Sequence, residues 1–229
     1  MEITEDMKAQ LRRFARLIAA ANDIARVTGP SDENVIYEEH VKDALAAIPY
    51  LEKFPAGGSF ADVGTGGGLP GIVWGICRPD MRGLLVDSIG KKTDIVLWIT
   101  DELKLKNITV LNERSEETAS SHRETFDIAT ARAVADAPVL AEYLSPLVRT
   151  GGMLIAFKGP RAAAEIGGIH PHDWRQLGLG PPSLVPYEIP GRERSMVIWT
   201  KISACPARFP RKPGEAKKNP WNKYPLGKS

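Results

Sequence analysis

Apolar residues recur at helical spacing through the first fifty residues. From residue 4 to about residue 25 they fall on one broad face, and a second such pattern runs from about residue 34 to residue 51. Because positions three and four apart share a face of a helix, this spacing predicts two amphipathic helices. A turn around Gly29 and Pro30 separates them, and the sequence PAGG at residues 55–58 ends the helical region.

From residue 59 onward, short runs of apolar residues alternate with helical patterns. Five of these runs predict strands at residues 60–63, 83–87, 108–111, 126–131 and 152–157. Helices are predicted at residues 72–77, 91–103 and 138–147. This alternation is typical of a parallel, doubly wound α/β sheet.

The first predicted strand runs into a turn that is very rich in glycine, with the sequence GTGGGLPG at residues 64–71. Glycine adopts positive φ readily and leaves room for a ligand to approach the backbone. Pro70 is expected in the first turn of the following helix, where proline is tolerated. A strand, a glycine turn and a helix in this order predict a site for a nucleotide-like cofactor.

Three interpretations of this turn compete. Residues 66–71 satisfy the G-x-G-x-x-G pattern of nicotinamide cofactors, with Asp87 near the expected spacing, and a purely structural turn is the third possibility. Asp62 before the loop gives instead the D-x-G-x-G pattern of S-adenosylmethionine binders. A Tyr-x-x-x-Lys pair, which many hydride-transfer enzymes carry, is missing near the later strands. The sequence therefore favours S-adenosylmethionine.

The end of the domain supports the same choice. Two β-rich runs, residues 183–189 and 196–201, are joined by a polar turn at residues 190–194, which predicts an antiparallel hairpin at one sheet edge. The expected fold is thus an α/β, Rossmann-like class I methyltransferase with seven mostly parallel strands, a C-terminal antiparallel hairpin and an N-terminal helical extension. The predicted divisions are a helical extension, a methyltransferase domain and a basic tail, at residues 1–55, 56–202 and 203–229.

Composition indicates the cellular compartment that we expect and argues against a metal site. The 229 residues include only two cysteines, Cys77 and Cys205, which are expected to be reduced thiols, and no zinc-ligand spacing occurs. No apolar run approaches the ~20 residues of a membrane span, and the acidic start lacks the order of a signal peptide. We expect a cytoplasmic protein without a metal and without membrane contact.

Charge is concentrated at the end of the chain. Residues 201–229 carry eight Lys and Arg against one acid, so they hold +7, and the preceding 200 residues hold −5 because the whole chain carries +2. Such a tail is either a solvated, partly disordered segment or an arm that contacts phosphates of a nucleic acid. Charge alone does not separate these two interpretations.

In an open α/β sheet, ligands bind beyond the carboxyl ends of the strands. The residues there are Gly64, Gly66 and Leu69 after the first strand and Asp87 at the end of the second, where an acid can accept hydrogen bonds from ribose hydroxyls. Arg132 follows the fourth strand, and Ser115 and Glu116 follow the third, where a polar pair could contact an adenine edge.

Several segments together resemble the RsmG (GidB) family, bacterial guanine-N7 methyltransferases of small-subunit rRNA. The segments are DVGTGGGLPG at residues 62–71, LVDSIGKK at 85–92, RSEE at 114–117, ARA at 131–133, FKG at 157–159, EHVKDAL at 39–45 and FPRKPGEAKK at 209–218. The match covers most of the chain, so it is more specific than the glycine motif alone.

The resemblance implies that Gly64, Leu69, Ser115, Glu116 and Arg132 contact S-adenosylmethionine, with Asp87 as a ribose partner. It also implies a target guanine in the 530-loop of 16S rRNA, within the small ribosomal subunit. The chain departs from the family pattern at Gly67, Ser115 and Ala44, and none of these changes removes an implied cofactor contact.

Guanine N7 carries a lone pair and no proton, so its methylation requires alignment with the donor rather than a general base. Arg132 and Lys158 end two predicted strands and are the candidate catalytic residues, holding a phosphate or the O6 edge of guanine. Their structural alternative is a salt bridge with Asp127 or Asp136. His40 is expected to be structural, and Trp74, Trp98 and Trp199 are expected in the core.

Basic residues of the hairpin turn and the tail are the candidate RNA contacts: Arg192, Arg194, Arg208, Arg211, Lys212, Lys217 and Lys218. The leading hypothesis is an S-adenosylmethionine-dependent rRNA methyltransferase. The alternatives are a nicotinamide-dependent oxidoreductase and an RNA-binding ribosome assembly factor without catalytic activity.

Overall fold

Seven strands alternate with helices along the chain in the computed structural model, which describes residues 1–22, 25–189 and 191–223. The strands are β1 (Ser59–Val63), β2 (Arg82–Asp87), β3 (Ile108–Asn112), β4 (Phe126–Arg132), β5 (Val148–Lys158), β6 (Ser183–Ile189) and β7 (Arg192–Thr200). Their order in the sheet is β3-β2-β1-β4-β5-β7-β6. β1, β2 and β3 pair in parallel, as do β4 and β5, whereas β5 and β7 are antiparallel. The predicted mixed sheet with a C-terminal hairpin is confirmed.

The helices occupy most of the connections. They are α1 (Glu5–Ala21), α2 (Glu33–Ile36), α3 (Lys42–Leu45), α4 (Ile48–Leu51), α5 (Gly71–Cys77), α6 (Gly90–Glu102), α7 (Ser115–Ser121), α8 (Ala137–Leu144), α9 (Ala162–Gly167) and α10 (Glu215–Lys218). A π-helical turn, Tyr37–Val41, continues α2 into α3. Short 3-10 turns are Ser145–Leu147, Asp173–Leu177 and Trp221–Lys223.

The chain divides into two units. The first comprises residues 1–113 and 189–192, and the second comprises residues 114–188 and 193–229. Residues 23–24, 190 and 224–229 of these ranges lie outside the described part. The predicted boundaries at residues 55 and 202 do not coincide with this division. The N-terminal helices belong to the unit that contains β1 to β3, and the basic tail belongs to the unit that contains β4 and β5.

In the first unit, α1 begins where the Thr4 hydroxyl caps it by accepting a hydrogen bond from the backbone N–H of Met7 at 3.3 Å. Leu11, Phe14 and Ile18 are fully buried on one face of the helix. These residues belong to the apolar face predicted from the sequence, so α1 is part of the core of this unit.

In the second unit, the basic tail is anchored through residue 221. Cys205, Phe209, Ala216 and Trp221 are all buried. The Arg123 guanidinium donates to the backbone carbonyl oxygens of Cys205, Pro206 and Phe209. The described part of the tail is therefore packed structure, which disagrees with one of the two interpretations left open by the charge, that of a solvated, partly disordered segment.

The sequence patterns misplace several element ends. β5 begins at Val148 and not at Gly152, so Gly151 lies inside the strand, beside a register irregularity between β4 and β5. A Cβ on Gly152 would lie 2.5 Å from the carbonyl oxygen of Asp127. β7 begins at Arg192, so Arg192 and Arg194 lie on a strand and not in a turn. Residue 190 of the predicted turn and residues 23–24 of the first predicted helix lie outside the described residues.

One expected core residue is on the surface. Trp74 and Trp199 are fully buried, as predicted, but the side chain of Trp98 is 38% exposed. Trp98 lies on α6, where Ile95, Val96 and Ile99 supply the buried face. An aromatic residue within a helical apolar pattern does not by itself belong to the buried face.

The anchored tail gives a direct test of stability. Trp221 packs edge-on against Trp174 at 5.2 Å between ring centroids, and its Nε1–H donates to the Pro138 carbonyl oxygen at 2.8 Å. We expect Trp221→Ala to lower the free energy of unfolding by about 3–5 kcal/mol, measured by urea denaturation. Trp98→Ala is the matched control and should have a much smaller effect. Equal losses for the two variants would contradict the anchoring of the tail.

Candidate functional site

The loop after β1 has a backbone that requires glycine. Gly64, Gly66 and Gly68 have φ values of +69°, +58° and +87°, in the left-handed region. Gly64 and Gly66 are half-buried, whereas Leu69 is only 2% exposed. The loop thus offers accessible backbone at its first glycines and closes onto the core at Leu69.

A buried carboxyl group on β1 holds this loop in place through hydrogen bonds. Asp62, on β1, is fully buried, and its Oδ2 accepts hydrogen bonds from the Thr65 hydroxyl at 2.7 Å and from the Gly71 N–H at 2.9 Å. Because a buried polar group is costly without hydrogen-bond partners, these bonds strongly favour one loop shape. Asp62 joins the start of the loop to the first residue of α5, and Pro70 precedes that helix instead of lying in its first turn.

A second carboxylate holds the tip of the loop. Asp87 ends β2, and its Oδ2 accepts a hydrogen bond from the Gly66 N–H at 3.0 Å, while its Oδ1 accepts one from the Ile89 N–H at 3.0 Å. Four of the predicted cofactor residues, Gly64, Gly66, Leu69 and Asp87, therefore form one cluster in the first unit. Carboxylate oxygens have further lone pairs, so Asp87 retains capacity to accept from a ribose hydroxyl.

In the second unit, Ser115 and Glu116 begin α7, an element that the sequence patterns missed. The Glu117 carboxylate caps the helix by accepting from the Arg114 N–H at 3.0 Å. The Ser115 hydroxyl donates to Oε2 of Glu116 at 2.9 Å, and the Gly214 N–H donates to Oε1 at 3.1 Å. Both carboxylate oxygens of Glu116, which is 7% exposed, are thereby held.

Arg132 and Lys158 lie at the ends of β4 and β5, as predicted, and Arg132 pairs in register with Phe157. The Lys158 ammonium forms a salt bridge with Glu165 at 2.6 Å and donates to the Ala135 carbonyl oxygen at 2.8 Å. Lys158 thus forms its salt bridge with Glu165, on α9, and not with Asp127 or Asp136, the partners of the structural alternative. Its catalytic role stays a prediction.

The backbone directly after Arg132 is unusual. Ala133 has a φ of +57°, although it carries a Cβ. Non-glycine residues in this region are strained, and such strain is concentrated at functional sites. The chain therefore turns sharply at the end of β4, and Arg132 lies half-buried at this turn.

The predicted RNA contacts of the tail divide into two groups. Arg208, Lys217 and Lys218 are exposed, as is Lys212. Arg211 instead forms a two-pronged salt bridge with the buried Glu142, with distances of 2.8 Å from Nε to Oε1 and 2.6 Å from the second guanidinium nitrogen to Oε2. The same contact raises the pKa of Arg211. Arg211 therefore anchors the tail.

On β7 the two predicted arginines differ as well. Arg192 is exposed and forms a salt bridge with Glu39 at 2.6 Å within the first unit. Arg194 is half-buried, and its guanidinium lies close to Gly159. A Cβ placed on Gly159 would be 3.9 Å from a guanidinium nitrogen of Arg194. Neither side chain is simply a solvated turn residue.

Ionisation of the buried groups limits the available chemistry. Burial raises the pKa of the Cys77 thiol to about 12 and also raises that of Cys205, so neither is activated as a nucleophile. Burial, together with the carboxylates of Glu116 and Glu142, raises the pKa of Tyr143 to about 12. Within the described residues, no group of three or more His, Cys, Asp or Glu could hold a metal ion, and no helix is long and apolar enough to span a membrane.

Sequence reasoning missed four residues that shape these clusters: Asp62 as an anchor, Glu142, Glu165 and Gly214. The role of Asp62 could have been inferred from the sequence, because an acid within an apolar strand that leads into a glycine turn is expected to be buried close to that turn. The other three act on partners between 7 and 98 positions away in the chain, and neither Glu142 nor Glu165 stands out from other acids in a helical pattern.

Solved structures share this fold. The antibiotic-resistance methyltransferase Kmr has a TM-score of 0.53 and 19% identity, with 68% of this chain and 93% of that chain covered. A mutant of MtNAS in complex with S-adenosylmethionine has a TM-score of 0.57 and 16% identity, with 84% and 77% covered. The sheet, its antiparallel hairpin and the helical N-terminus define a class I methyltransferase fold.

Sequence relatives identify the family. The model of GidB, described as rRNA small subunit methyltransferase G, matches residues 7–174. Proteins named ribosomal RNA small subunit methyltransferase G are 36% identical in Carboxydothermus hydrogenoformans, covering 94% of this chain and 93% of the relative, and 31% identical in Petrotoga mobilis, covering 99% of each. The chain belongs to the GidB family of small-subunit rRNA methyltransferases.

Two glycines that begin helices allow the loop geometry to be tested. A Cβ on Gly71, the first residue of α5, would lie 2.7 Å from Cγ of Leu85 and 2.9 Å from Oδ2 of Asp62. We expect Gly71→Ala to lower the free energy of unfolding by about 1–3 kcal/mol through overpacking. Gly90→Ala, at the first residue of α6, meets only Asn112 Oδ1 at 3.5 Å and should be neutral or slightly stabilising. A denaturation series on both variants checks this, and an unaffected Gly71→Ala protein would contradict the close packing of the loop.

Proposed function

We propose that this protein transfers a methyl group from S-adenosylmethionine to N7 of a guanine in the 530-loop of 16S rRNA, acting on the small ribosomal subunit in the cytoplasm. Family membership supports the reaction and the rRNA substrate. The observation that carries the proposal is the glycine loop, held by Asp62 and Asp87 at the carboxyl ends of two parallel strands.

The residues of this loop suit a nucleoside cofactor. Gly66 has positive φ and is half-buried, and among the described residues the nearest atom to a Cβ there would be the Val27 carbonyl oxygen at 3.9 Å. Ligand atoms can therefore come close to the backbone of the loop. Asp87 places a carboxylate beside this backbone, which matches the two hydroxyls of a ribose. We assign cofactor contacts to Gly64, Gly66, Leu69 and Asp87.

The family resemblance supplies the remaining assignments. Ser115, Glu116 and Arg132 are proposed as further cofactor contacts. S-adenosylmethionine supplies, when bound, an electrophilic methyl group on a positively charged sulfur. The fixed carboxylate of Glu116 presents an oriented acceptor group, and its two hydrogen bonds remove the need to order it during binding.

The protein's part in the reaction is to orient the guanine and the methyl donor and to exclude water from them. Guanine N7 has a free lone pair, so no residue has to remove a proton, and the rate depends on holding N7 in line with the methyl group. We propose that Arg132 and Lys158 hold a phosphate or the O6 edge of the guanine. The two contacts of Lys158 with described residues use two of its three ammonium hydrogens, and we assign the third to the RNA.

Contacts to the rRNA backbone are proposed for five exposed cations and for the half-buried Arg194. Arg208, Lys212, Lys217 and Lys218 project from the anchored tail, and Arg192 and Arg194 lie on β7. Arg211 is assigned to anchoring, because its guanidinium is held by Glu142. Phosphate contacts of this kind add affinity without reading sequence.

Two measurements test the activity. Calorimetry is expected to show binding of S-adenosylhomocysteine and not of NADH, and the reverse would indicate the oxidoreductase alternative. Unmethylated small subunits incubated with labelled S-adenosylmethionine should acquire one methyl group in the 530-loop, located by chemical cleavage at 7-methylguanine. If the protein bound the small subunit but transferred no methyl group, the result would support the alternative of a non-catalytic assembly factor.

The tail cations predict a change in salt dependence. We expect the triple variant K212Q/K217Q/K218Q to bind rRNA less tightly. The slope of log K against log salt should become shallower by roughly 0.7–0.9 for each phosphate that is no longer neutralised. The control K8Q/K53Q/K104Q removes three exposed lysines of the first unit and should leave the slope unchanged. Filter binding at several salt concentrations measures both, and identical slopes for the two triple variants would exclude these lysines as phosphate contacts.

A further inference from the structure

We propose that the C-terminal segment, residues 203–223, positions the carboxylate of Glu116 through the backbone N–H of Gly214. This inference rests on the proposed function, since it treats Glu116 as part of the cofactor site. It assigns a positioning role to a residue that reaches its partner across 98 positions of the chain.

The hydrogen bond is built from a specific backbone conformation. Gly214 has a φ of +80° and directly precedes α10, and its N–H points to Oε1 of Glu116 at 3.1 Å. Glu116 is 7% exposed, so few water molecules can replace this donor. Hydrogen bonds to a charged, buried carboxylate are stronger than those between neutral groups.

The segment on both sides of Gly214 is held firmly. Before it, Arg211 is fixed by the buried Glu142, through its guanidinium and through its own N–H at 3.3 Å. After it, Ala216 is buried and Trp221 donates to the Pro138 carbonyl oxygen. The Gly214 N–H is therefore part of a rigid element, and it can fix the rotamer of Glu116 before any ligand arrives.

This arrangement gives the C-terminal segment two separate faces. Its buried side orients a residue of the cofactor site, and its exposed side carries Arg208, Lys212, Lys217 and Lys218. Changes to the exposed lysines are expected to affect RNA binding alone. Changes to the Gly214 backbone are expected to affect cofactor affinity, although Gly214 itself contacts no reacting atom.

A matched pair of glycine variants tests the inference. Gly57 has the same φ of +80°, and at both positions a Cβ would meet nothing within 4 Å among the described residues. Gly214→Ala and Gly57→Ala thus impose the same backbone strain without a steric clash. Alanine keeps the backbone N–H, but we expect relief of the strain at positive φ to move it away from Glu116 and break the charge-assisted hydrogen bond. Gly214→Ala should then bind S-adenosylhomocysteine on the order of tenfold more weakly, while Gly57→Ala binds as the wild type does.

The readouts separate positioning from general destabilisation. Calorimetry gives the affinity and thermal melting gives the stability, and the two variants are expected to melt at similar temperatures. Gly214→Asn, which tolerates positive φ, should restore most of the affinity. Equal affinities for Gly214→Ala and Gly57→Ala would overturn the inference. Failure of the wild type to bind S-adenosylhomocysteine would overturn the proposed function as well, so the two failures are distinguishable.

A second pair keeps the inference testable if Gly214→Ala does not fold. Glu116→Gln has a side chain of the same length, so its carbonyl oxygen can still accept the hydrogen bond from the Gly214 N–H. Glu116→Asp keeps the negative charge, but its side chain is one methylene shorter and its carboxylate lies farther from Gly214. Positioning by Gly214 predicts that Glu116→Gln binds S-adenosylhomocysteine more tightly than Glu116→Asp. The opposite order would show that charge, and not the contact with Gly214, determines the contribution of Glu116.

Discussion

The fully buried carboxylate of Asp62 governs the structure of the candidate site. A carboxyl group inside a protein core must be matched by hydrogen-bond partners, and here these include the Thr65 hydroxyl and the Gly71 N–H. The loop between these residues can satisfy Asp62 only by turning back over the end of β1. Left-handed glycines make that turn possible, and Asp87 completes it by holding Gly66. The cofactor loop is thus shaped before a ligand is present.

The same principle acts in the second unit on a larger scale. Glu142 is 1% exposed and is matched by Arg211, and the buried Lys201 is matched by Glu124 and the Ser145 carbonyl oxygen. Burial lowers the pKa of Lys201, and the Glu124 contact opposes this shift. Several of these partners bring the C-terminal segment against helices formed much earlier in the chain. Buried charges therefore specify where a polar, proline-rich segment lies.

Local patterns were sufficient for most elements and for the glycine loop. The strands were predictable because short β-branched and aliphatic runs alternate with helical patterns. Asp87 was predictable because ligands of α/β sheets bind at strand ends. The tail was harder, since its apolar residues Cys205, Phe209 and Trp221 are spaced too widely among lysines and prolines to form a periodic pattern. The pairs Arg211–Glu142 and Gly214–Glu116 were not predictable, because nothing in linear spacing encodes a contact across 69 or 98 residues. Trp98 shows the opposite failure, in which an apolar residue within a periodic helix faces outward.

The dependence of the second unit on residues near 221 has a consequence for synthesis in the cell. Glu116, Pro138 and Glu142 leave the ribosome well before Gly214, Trp221 and Arg211 exist to meet them. Until translation has passed Arg211, Glu142 lacks its salt-bridge partner, and until it has passed Trp221, Trp174 lacks the ring that packs edge-on against it. A premature stop in this region would accordingly yield a polypeptide that has every strand and every glycine of the loop, yet lacks contacts through which the C-terminal segment packs into the second unit.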